Sequence, residues 1–348
     1  MSTTPLSIAV IGCGDIVMSQ HMPTFAENPS VRLMAVCDAD PQRVDAALAA
    51  AGATAEYGTT DYKRILADER IEAVFVCTPP WVTPGITIDA LSAGKHVLCE
   101  KPMATSLEDA ERVAEAERVS GKLLQVGFTY RHGPLMDALQ RWIAEGRLGR
   151  PLQIRISVYD EVWDPTGNPE LYDRIFHTLR HGPPCIHDGA HSADHLAFLT
   201  GSTPVKVTAQ GLKTRPEFPA PNYNTAIIEF ANGDQAKLEV AWFLPHFPPG
   251  EFQIMGPSGT AYMDRVNNEA VLVQGKVTER VQLGENRVRS CFRTQLEKFV
   301  TSVRAGTTPV PGSREGIASL KLTQAIAHAM ESGTPVSMSP NSKEASAQ

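Results

Sequence analysis

The sequence predicts an α/β fold in two parts: an N-terminal Rossmann-type, doubly wound parallel sheet, then an α+β domain with a large, mostly antiparallel open sheet. Three observations lead to this prediction. The first third of the chain alternates short apolar runs with helical patterns, as βαβ units do. The remainder carries longer alternating segments joined by Asn-Gly-Asp and Pro-Ser-Gly turns, which suit antiparallel hairpins. At 348 residues the chain is long enough for two domains of ~150 residues each.

The first domain is predicted over residues 1–126. Short apolar runs bounded by turn residues are typical of strands buried on both faces, and they cover residues 6–11, 31–37, 73–77, 96–99 and 123–126. Helices are predicted between them at 42–51, ended by Gly52, and at 106–120, which has a Ser cap, an acidic first turn and a closing Gly121.

The second domain is predicted over residues 127–335 and opens with a helix at 134–145. Alternation with a period of two predicts its strands at residues 152–159, 205–210, 225–230, 236–242, 252–255, 261–264 and 271–273. Helices at about 291–305 and 314–332 end the domain. Residues 336–348 are polar and small, and a flexible tail is predicted there.

Composition narrows the classes of function. Apolar residues make up 42% and charged residues 20%, an ordinary globular balance that excludes a disordered, collagenous or coiled-coil chain. The net charge of -7 argues against nucleic-acid binding, and no apolar run approaches the ~20 residues that cross a membrane. The sequence shows no secretory signal, C-x-x-C pair or evident disulfide framework among its six cysteines, so a cytoplasmic protein is expected.

A glycine-rich turn after the first strand indicates nucleotide binding. Gly12 and Gly14 allow a tight turn and a close approach to a pyrophosphate, which then lies at the N-terminus of the helix begun by Asp15 and Ile16. The third position of the motif holds Val17, where Gly or Ala is usual. Because such turns also occur in folds that bind no nucleotide, the motif needs a second observation.

Asp38 supplies that observation. It ends the second predicted strand, where a carboxylate accepts hydrogen bonds from the ribose hydroxyls of NAD. The same carboxylate repels the 2′-phosphate of NADP, and Ala39 offers that phosphate no partner, although Arg43 a few residues later weakens the argument. We therefore expect NAD, with NADP as the less favoured cofactor.

Three further motifs resemble those of a known family. A Thr-Pro turn follows the fourth strand, a Glu-Lys-Pro turn follows the fifth, and a Gly-Phe-x-x-Arg-x-x-Pro run opens the second domain. In this chain they are Thr78-Pro79, Glu100-Lys101-Pro102, and Gly127, Phe128, Arg131 and Pro134. On these motifs the chain resembles the glucose–fructose oxidoreductase and inositol dehydrogenase family (Gfo/Idh/MocA).

The resemblance implies an NAD site and a catalytic lysine. The cofactor residues that it and the nucleotide motif imply are Gly12, Gly14, Asp15, Ile16, Asp38, Arg43, Thr78, Pro79, Trp81, Glu100, Lys101 and Pro102. Ligands of open α/β sheets bind at the carboxyl ends of strands, where Lys101 would stabilise a substrate alkoxide. The alternative is a solvent-exposed turn lysine. Trp81 and Thr83 stand where many relatives carry His. Trp81 is expected to pack on the nicotinamide or to block the pocket, and the alternative is plain hydrophobic packing.

A segment at 187–195 resembles the family's Asp-x-Gly-x-His-x-x-Asp pattern with one departure. His191 and Asp194 match, but His187 holds the first Asp position and Asp188 follows one step later. Histidine has a reference pKa of about 6.5, which suits it to take and return a proton near neutral pH. The resemblance implies His191 as the general base, oriented by His187 at i, i+4 spacing or by Asp188. The alternative is a helix-capping Asp188 together with partly buried histidines that make structural hydrogen bonds.

Histidine spacing also raises the question of a metal. Five of the ten histidines fall in one stretch: His177, His181, His187, His191 and His195. Several are four residues apart, which is metal-ligand spacing on a helix. Because no His-Glu-x-x-His motif is present and the family reaction needs no metal, none is expected.

Substrate contacts are expected from Lys101, Tyr130, Arg131, Tyr159, Trp163, His187 and His191, with Tyr172 as a further aromatic residue. Flat aromatic faces suit pyranose rings, although these residues suit a hydrophobic core equally well.

The predicted function is NAD-dependent oxidation of a secondary hydroxyl of a sugar or cyclitol. Two alternatives share the fold: a redox-cycling glycosidase that keeps its NAD, and a non-catalytic sugar or nucleotide sensor. The second domain, which carries substrate binding and oligomerisation, is expected to leave an apolar sheet face that a homodimer or homotetramer covers.

Overall fold

A computed structural model describes residues 4–52 and 55–338 of the chain. The chain forms two compact units. The first runs to Gly133 and includes Asn286–Ile317, whereas the second comprises Pro134–Glu285 and continues from Ala318. Within the described ranges, none of the helices combines the length and the apolar character needed to cross a membrane.

The first unit is built on a parallel six-stranded sheet. Its strands are β1 (Leu6–Ile11), β2 (Val31–Cys37), β3 (Tyr57–Thr59), β4 (Ala73–Val76), β5 (His96–Glu100) and β6 (Leu124–Gly127). The helices between them are α1 (Met22–Glu27), α2 (Pro41–Ala51), α3 (Tyr62–Ala67), α4 (Thr83–Ser92) and α5 (Leu107–Ser120). The strand order β3-β2-β1-β4-β5-β6 is that of a dinucleotide-binding Rossmann sheet, so the predicted fold of this part is confirmed.

Local sequence explains these elements. Side chains on both faces of β1 and β4 are buried, which accounts for their continuous apolar runs. The Ser106 hydroxyl accepts a hydrogen bond from the Asp109 amide at 3.1 Å and so caps α5, which ends at Gly121 with a φ of +65°. The three-residue strand β3, Tyr57–Thr59, escaped prediction because it contains no continuous apolar run.

The second unit contains a nine-stranded sheet. Its first helices are α6 (Pro134–Ala144), α7 (Pro169–Thr178), α8 (Pro184–His187) and α9 (Gly189–Thr200). Its strands are β7 (Gln153–Asp160), β8 (Pro204–Leu212), β9 (Tyr223–Phe230), β10 (Gln235–Trp242), β11 (Phe252–Gly256), β12 (Gly259–Asp264), β13 (Glu269–Gln274), β14 (Val277–Gln282) and β15 (Val336–Ser337). Of the pairs in the order β14-β13-β12-β11-β7-β10-β9-β8-β15, β7 with β10 is parallel and the others are antiparallel. The predicted large, mostly antiparallel sheet is confirmed.

The two faces of the second sheet differ in polarity. Ile154, Ile156 and Leu238 pack in a core with helical residues such as Trp142 and Leu196. The opposite face carries mainly polar side chains, among them Gln153, Arg155, Ser157, Tyr159, Lys206, Thr225, Glu229, Lys237 and Glu239. The expectation of an apolar face is therefore wrong, and the homodimer or homotetramer stays a prediction without that argument.

The last two helices are α10 (Arg287–Ala305) and α11 (Ser313–Ser332). α10 packs in the first unit, where Phe299 lies 5.6 Å from Phe75 of β4, ring centre to ring centre. The division at residue 126 follows chain order and so differs from the compact units, in which packing places 127–133 and α10 with the first sheet. β15 pairs with β8, so the predicted tail begins inside the sheet, and residues 339–348 lie outside the described residues.

Candidate active-site elements in the two units

The turn after β1 exposes its backbone. Gly12 has a φ of +95°, and a Cβ atom there would lie 2.4 Å from the carbonyl oxygen of Cys77, so no other residue fits. A Cβ atom at Gly14 would meet nothing within 4 Å, so the absent side chain leaves open space beside the turn. The helical residues that follow contain a π turn at Val17–His21, and Val17 is buried. The third motif position is therefore a packing position here.

The Asp38 carboxylate is fixed at the end of β2. One of its oxygens accepts a hydrogen bond from the Cys13 amide at 2.7 Å, and the other accepts one from the Asp40 amide at 3.0 Å. Arg43 Nε lies 3.9 Å from an Asp40 oxygen, and the Arg43 side chain is 44% exposed. Asp38 is thus held by the glycine turn, whereas Arg43 is paired with another carboxylate.

These features fit a dinucleotide. The glycine turn leaves room for a pyrophosphate at the start of a helix, where backbone N–H groups lack helical partners. Each Asp38 oxygen has a second lone pair with which to accept a ribose hydroxyl. Asp38 would therefore hold the ribose, and the turn from Gly12 to Gly14 would hold the pyrophosphate.

We expect the unmodified protein to bind NAD more tightly than NADP, and the double change Asp38→Ser with Ala39→Arg to narrow or invert that preference. The change removes the carboxylate that repels a 2′-phosphate and supplies a guanidinium that binds it. Titration of each cofactor measures the ratio of the two Kd values. Asp45→Ser removes an exposed carboxylate of α2 and serves as the control. Equal or tighter NADP binding by the unmodified protein would contradict the assignment.

The carboxyl end of β4 neighbours that of β1 in the sheet. Thr78 and Pro79 follow β4, and the Thr78 hydroxyl lies 3.0 Å from the hydroxyl of Thr83, which also donates to the Thr78 carbonyl at 2.9 Å. Trp81 lies between them in sequence and is half-buried. This part of the predicted cofactor site is a tight turn held by threonine hydrogen bonds.

The turn after β5 contains Lys101, half-buried, and Pro102, buried. The Glu100 side chain points into the protein. One of its carboxylate oxygens lies 2.8 Å from His21 Nε2, and the other accepts a hydrogen bond from the Lys101 amide at 3.2 Å. The Glu100 carboxylate is therefore used within the unit. Sequence reasoning missed His21, which no spacing rule connects to Glu100.

Burial disfavours the thiolate form of two cysteines at this edge. Burial raises the pKa of the Cys13 thiol to about 12 and that of the Cys37 thiol to about 11. Both groups stay protonated near neutral pH, and a protonated thiol is a poor nucleophile.

In the second unit the predicted helical segment at 187–195 is split. His187 ends α8, Asp188 connects the helices, and His191 lies near the start of α9. The Asn224 side chain of β9 accepts a hydrogen bond from the Cys185 amide at 3.0 Å and so anchors the first turn of α8.

Trp242, at the end of β10, contacts both residues that replace the usual Asp. Its indole N–H donates to an Asp188 carboxylate oxygen at 2.6 Å. Its ring stacks on the buried imidazole of His187, with centres 5.4 Å apart and planes 24° from parallel. Sequence reasoning missed Trp242, which reads as one more apolar residue of an alternating strand.

His191 has an aromatic neighbour on its own helix. Its ring lies 6.4 Å from that of His195, at an angle of 24°, and His195 in turn lies 5.8 Å from Phe252 of β11. The Ser319 hydroxyl donates to the Ala190 carbonyl at 2.9 Å and fixes the helix beside His191. The helix that carries the His191 imidazole is therefore braced at its first turn.

Backbone strain marks the same end of the sheet. Glu161 and Phe243 directly follow the parallel strands β7 and β10 and have φ values of +55° and +57°. The Phe243 amide donates to the Glu161 carbonyl at 2.6 Å. Non-glycine residues with positive φ cost free energy and cluster at functional sites, which favours a site near Trp242.

Three aromatic residues predicted near the substrate already have contacts within the second unit. Tyr159 belongs to the polar sheet face, where its hydroxyl donates to Glu239 at 3.0 Å, because strand side chains alternate and Val158 takes the core side. Trp163 packs with Tyr172, ring centres 5.2 Å apart, in a small aromatic core. Trp163 and Tyr172 thus pack as core residues, in a cluster that includes Trp242 and Phe243, whereas Tyr159 lies on the opposite, polar face of the sheet. Their contact with substrate stays a prediction.

Two other predicted substrate residues belong to the first unit. Tyr130 is 40% exposed, whereas Arg131 is 9% exposed, and both lie in a short 3-10 turn after β6.

Histidine spacing does not assemble a metal centre in the described part of the chain. No group of three or more His, Cys, Asp or Glu side chains there is arranged to hold an ion. His177 and His181 are in ring contact, with centres 5.2 Å apart.

Comparison with known proteins agrees with both units. A family described as "Oxidoreductase family, NAD-binding Rossmann fold" matches residues 6–128, and the "GFO/IDH/MocA C-terminal domain" matches residues 136–262. The chain belongs to the Gfo/Idh/MocA family. It is therefore an NAD-binding oxidoreductase, and the predicted family, enzyme class and cofactor are confirmed.

Relatives cover nearly the whole of this Gfo/Idh/MocA chain. Inositol 2-dehydrogenase 2 of Saccharopolyspora erythraea is 29% identical, over 96% of each chain. The scyllo-inositol 2-dehydrogenase (NAD(+)) of Bacillus subtilis is 24% identical, over 95% of each chain. A levoglucosan dehydrogenase in complex with NADH and levoglucosan has a TM-score of 0.85 and 21% identity, with 97% of this chain and 100% of that chain covered. At 21% identity, the likeness to the levoglucosan dehydrogenase shows a shared fold.

For this Gfo/Idh/MocA oxidoreductase we expect Asp188→Ala to lower kcat more than His187→Ala does, by about tenfold. The Asp188 carboxylate is held in one position by the Trp242 indole N–H, whereas the His187 ring is used in stacking. Trp242→Phe keeps the ring under His187 and removes the donor, so its kcat should fall between those of the two alanine variants. Steady-state kinetics of the three variants give the order, and the reverse order would assign the orienting role to His187.

Proposed function

We propose that this oxidoreductase oxidises a secondary hydroxyl of a cyclitol or sugar, with hydride transfer to NAD+. The observation that carries the proposal is the grouping of the glycine turn, Asp38 and Lys101 at the carboxyl ends of β1, β2 and β5, where ligands of open α/β sheets bind. Relatives named as inositol dehydrogenases, similar over nearly their full length, support the substrate class. Bound NAD+ supplies the hydride acceptor.

Lys101 stabilises the charge that develops on the substrate oxygen. Its ammonium donates hydrogen bonds to the hydroxyl and holds the alkoxide as the proton leaves, which lowers the barrier because the charge is greatest in the transition state. The half-buried position of Lys101 strengthens this interaction relative to one in bulk water.

His191 takes the hydroxyl proton. An imidazole on a braced helix serves as a general base near neutral pH and returns the proton in the reverse direction. Asp188, held by Trp242, orients the ring. Like Lys101, His191 is assigned from its chemistry and from its match to the family motif.

The test is a dehydrogenase screen with NAD+ over aldoses, ketoses and inositols, followed by NADH absorbance. Turnover of at least one secondary alcohol, lost in Lys101→Ala, supports the proposal. Copurified NAD without net NADH formation, together with glycoside cleavage, would replace it with the redox-cycling glycosidase. Cofactor binding without turnover of any of these compounds would replace it with the sensor.

A further inference from the structure

A buried polar pair lies beneath the Lys101 turn in the first unit. His21 is 2% exposed and Glu100 is 9% exposed. Because a carboxylate only accepts hydrogen bonds, the His21 Nε2–H donates to Glu100 across 2.8 Å. The two residues belong to different elements, the π turn after the glycine turn and the end of β5.

The surroundings of the pair are aromatic. The His21 ring lies 4.9 Å from that of Phe292, 5.7 Å from that of Phe75 and 5.8 Å from that of Phe25. Burial of a polar pair among such rings carries a desolvation cost, and apolar residues of similar volume often serve stability as well or better. Stability alone therefore gives a weak reason for a His and a Glu at these positions.

The contacts of the pair favour a different role. The second Glu100 carboxylate oxygen accepts a hydrogen bond from the Lys101 amide at 3.2 Å. On the other side, a Cβ atom at Gly127 would lie 2.8 Å from that same oxygen, so the glycine of β6 makes room for the carboxylate. Glu100 is thus fixed from three sides, and it connects the helix of the glycine turn to the backbone of Lys101.

We propose that His21 and Glu100 are positioning residues, which hold the Lys101 backbone in register with the helix that follows the glycine turn. The proposal rests on the function proposed above for Lys101. Because a displacement of about 1 Å costs a catalytic group up to ~10²-fold in rate, a fixed backbone at this turn has a large effect on turnover.

The experiment compares the wild-type protein with His21→Leu/Glu100→Leu, which removes both polar partners together and leaves no unpaired buried charge. The first readout is the rate at which limiting acetic anhydride acetylates Lys101 in the cofactor-free protein, measured by mass spectrometry. Lys63, whose side chain is 57% exposed, is the internal reference. The second readout is kcat and KM, and the control variant is His96→Leu at the opposite end of β5.

We expect the double variant to acetylate Lys101 at a rate that differs from wild type by about threefold or more, while Lys63 is unchanged. We expect kcat to fall about tenfold or more, with a smaller change in KM. The single variant His21→Gln keeps an N–H donor near the Nε2 position. Its Lys101 acetylation rate and its kcat should both be close to the wild-type values. His96→Leu should leave the Lys101 rate at the wild-type value.

A wild-type Lys101 acetylation rate in the folded double variant overturns the proposal, whatever the activity. If the double variant does not fold, His21→Asn replaces it, because asparagine is too short to reach Glu100, and the same criterion applies. The outcome is separate from the proposed function. Full turnover in Lys101→Ala would end the catalytic role of Lys101, while a changed acetylation rate would still support the positioning role of the pair.

Discussion

Replacement of Lys101 by alanine is expected to lower kcat by roughly 10²-fold or more while the affinity for NAD stays near wild type. The ammonium acts on charge that is present chiefly in the transition state, so its loss affects turnover more than ground-state binding. Steady-state kinetics with the best substrate from the screen, together with NAD titration, measure both quantities.

The matched control is Lys63→Ala, another lysine of the first unit, which pairs with Asp89 at an exposed position. That variant should keep wild-type kcat and NAD affinity. An unchanged kcat in Lys101→Ala, or an equal loss in both variants, would remove Lys101 from the proposed mechanism.

His191→Ala is expected to lose a comparable factor in kcat, and the acidic limb of its pH–rate profile should flatten. The limb reports protonation of an essential base, which this variant no longer has. The losses in Lys101→Ala and His191→Ala should not add fully in the double variant, because both groups serve one proton transfer. Rates across the acid range for the two single variants and the double variant provide the measurement.

His177→Ala is the control, because it removes a histidine of α7 that the proposed mechanism does not use. Its pH–rate profile should match that of the wild type. Near-normal turnover in His191→Ala would eliminate the proposed base, and a flattened limb in both variants would point to a general effect of histidine loss.

The sheets were predictable because their signals are local. Buried parallel strands such as β1 and β4 need continuous apolar runs, and the strands of the second sheet need alternation, so both patterns can be read from the sequence. The assignment of α10 was not predictable in this way. Its apolar stripe fits either sheet, and only packing against Phe75 decides between them.

The residues of the candidate site differ in the same way: some have a local sequence signal, and others are recognised only by their contacts. Gly12 and Asp38 belong to a motif that follows the first two strands, and in the structure the Asp38 carboxylate accepts a hydrogen bond from the amide that follows Gly12. His21 and Trp242 make hydrogen bonds to Glu100 and Asp188 that join separate elements, and no spacing rule reveals such contacts.

The sheet face on which Tyr159 lies could not be predicted, for a simpler reason. A shift of one residue along a strand moves a side chain to the other face, and the sequence does not say which face carries the site.

The discontinuous first unit sets an order of events during synthesis. Its N-terminal segment carries His21 and Phe75, but the rings of Phe292 and Phe299 that pack on them leave the ribosome only after eight of the nine strands of the second sheet have been made. Until then the aromatic patch formed by His21 and Phe75 stays uncovered on the nascent Rossmann sheet. Exposed patches of this kind attract chaperones and promote aggregation. A fragment that ends at residue 126 would keep that patch permanently open.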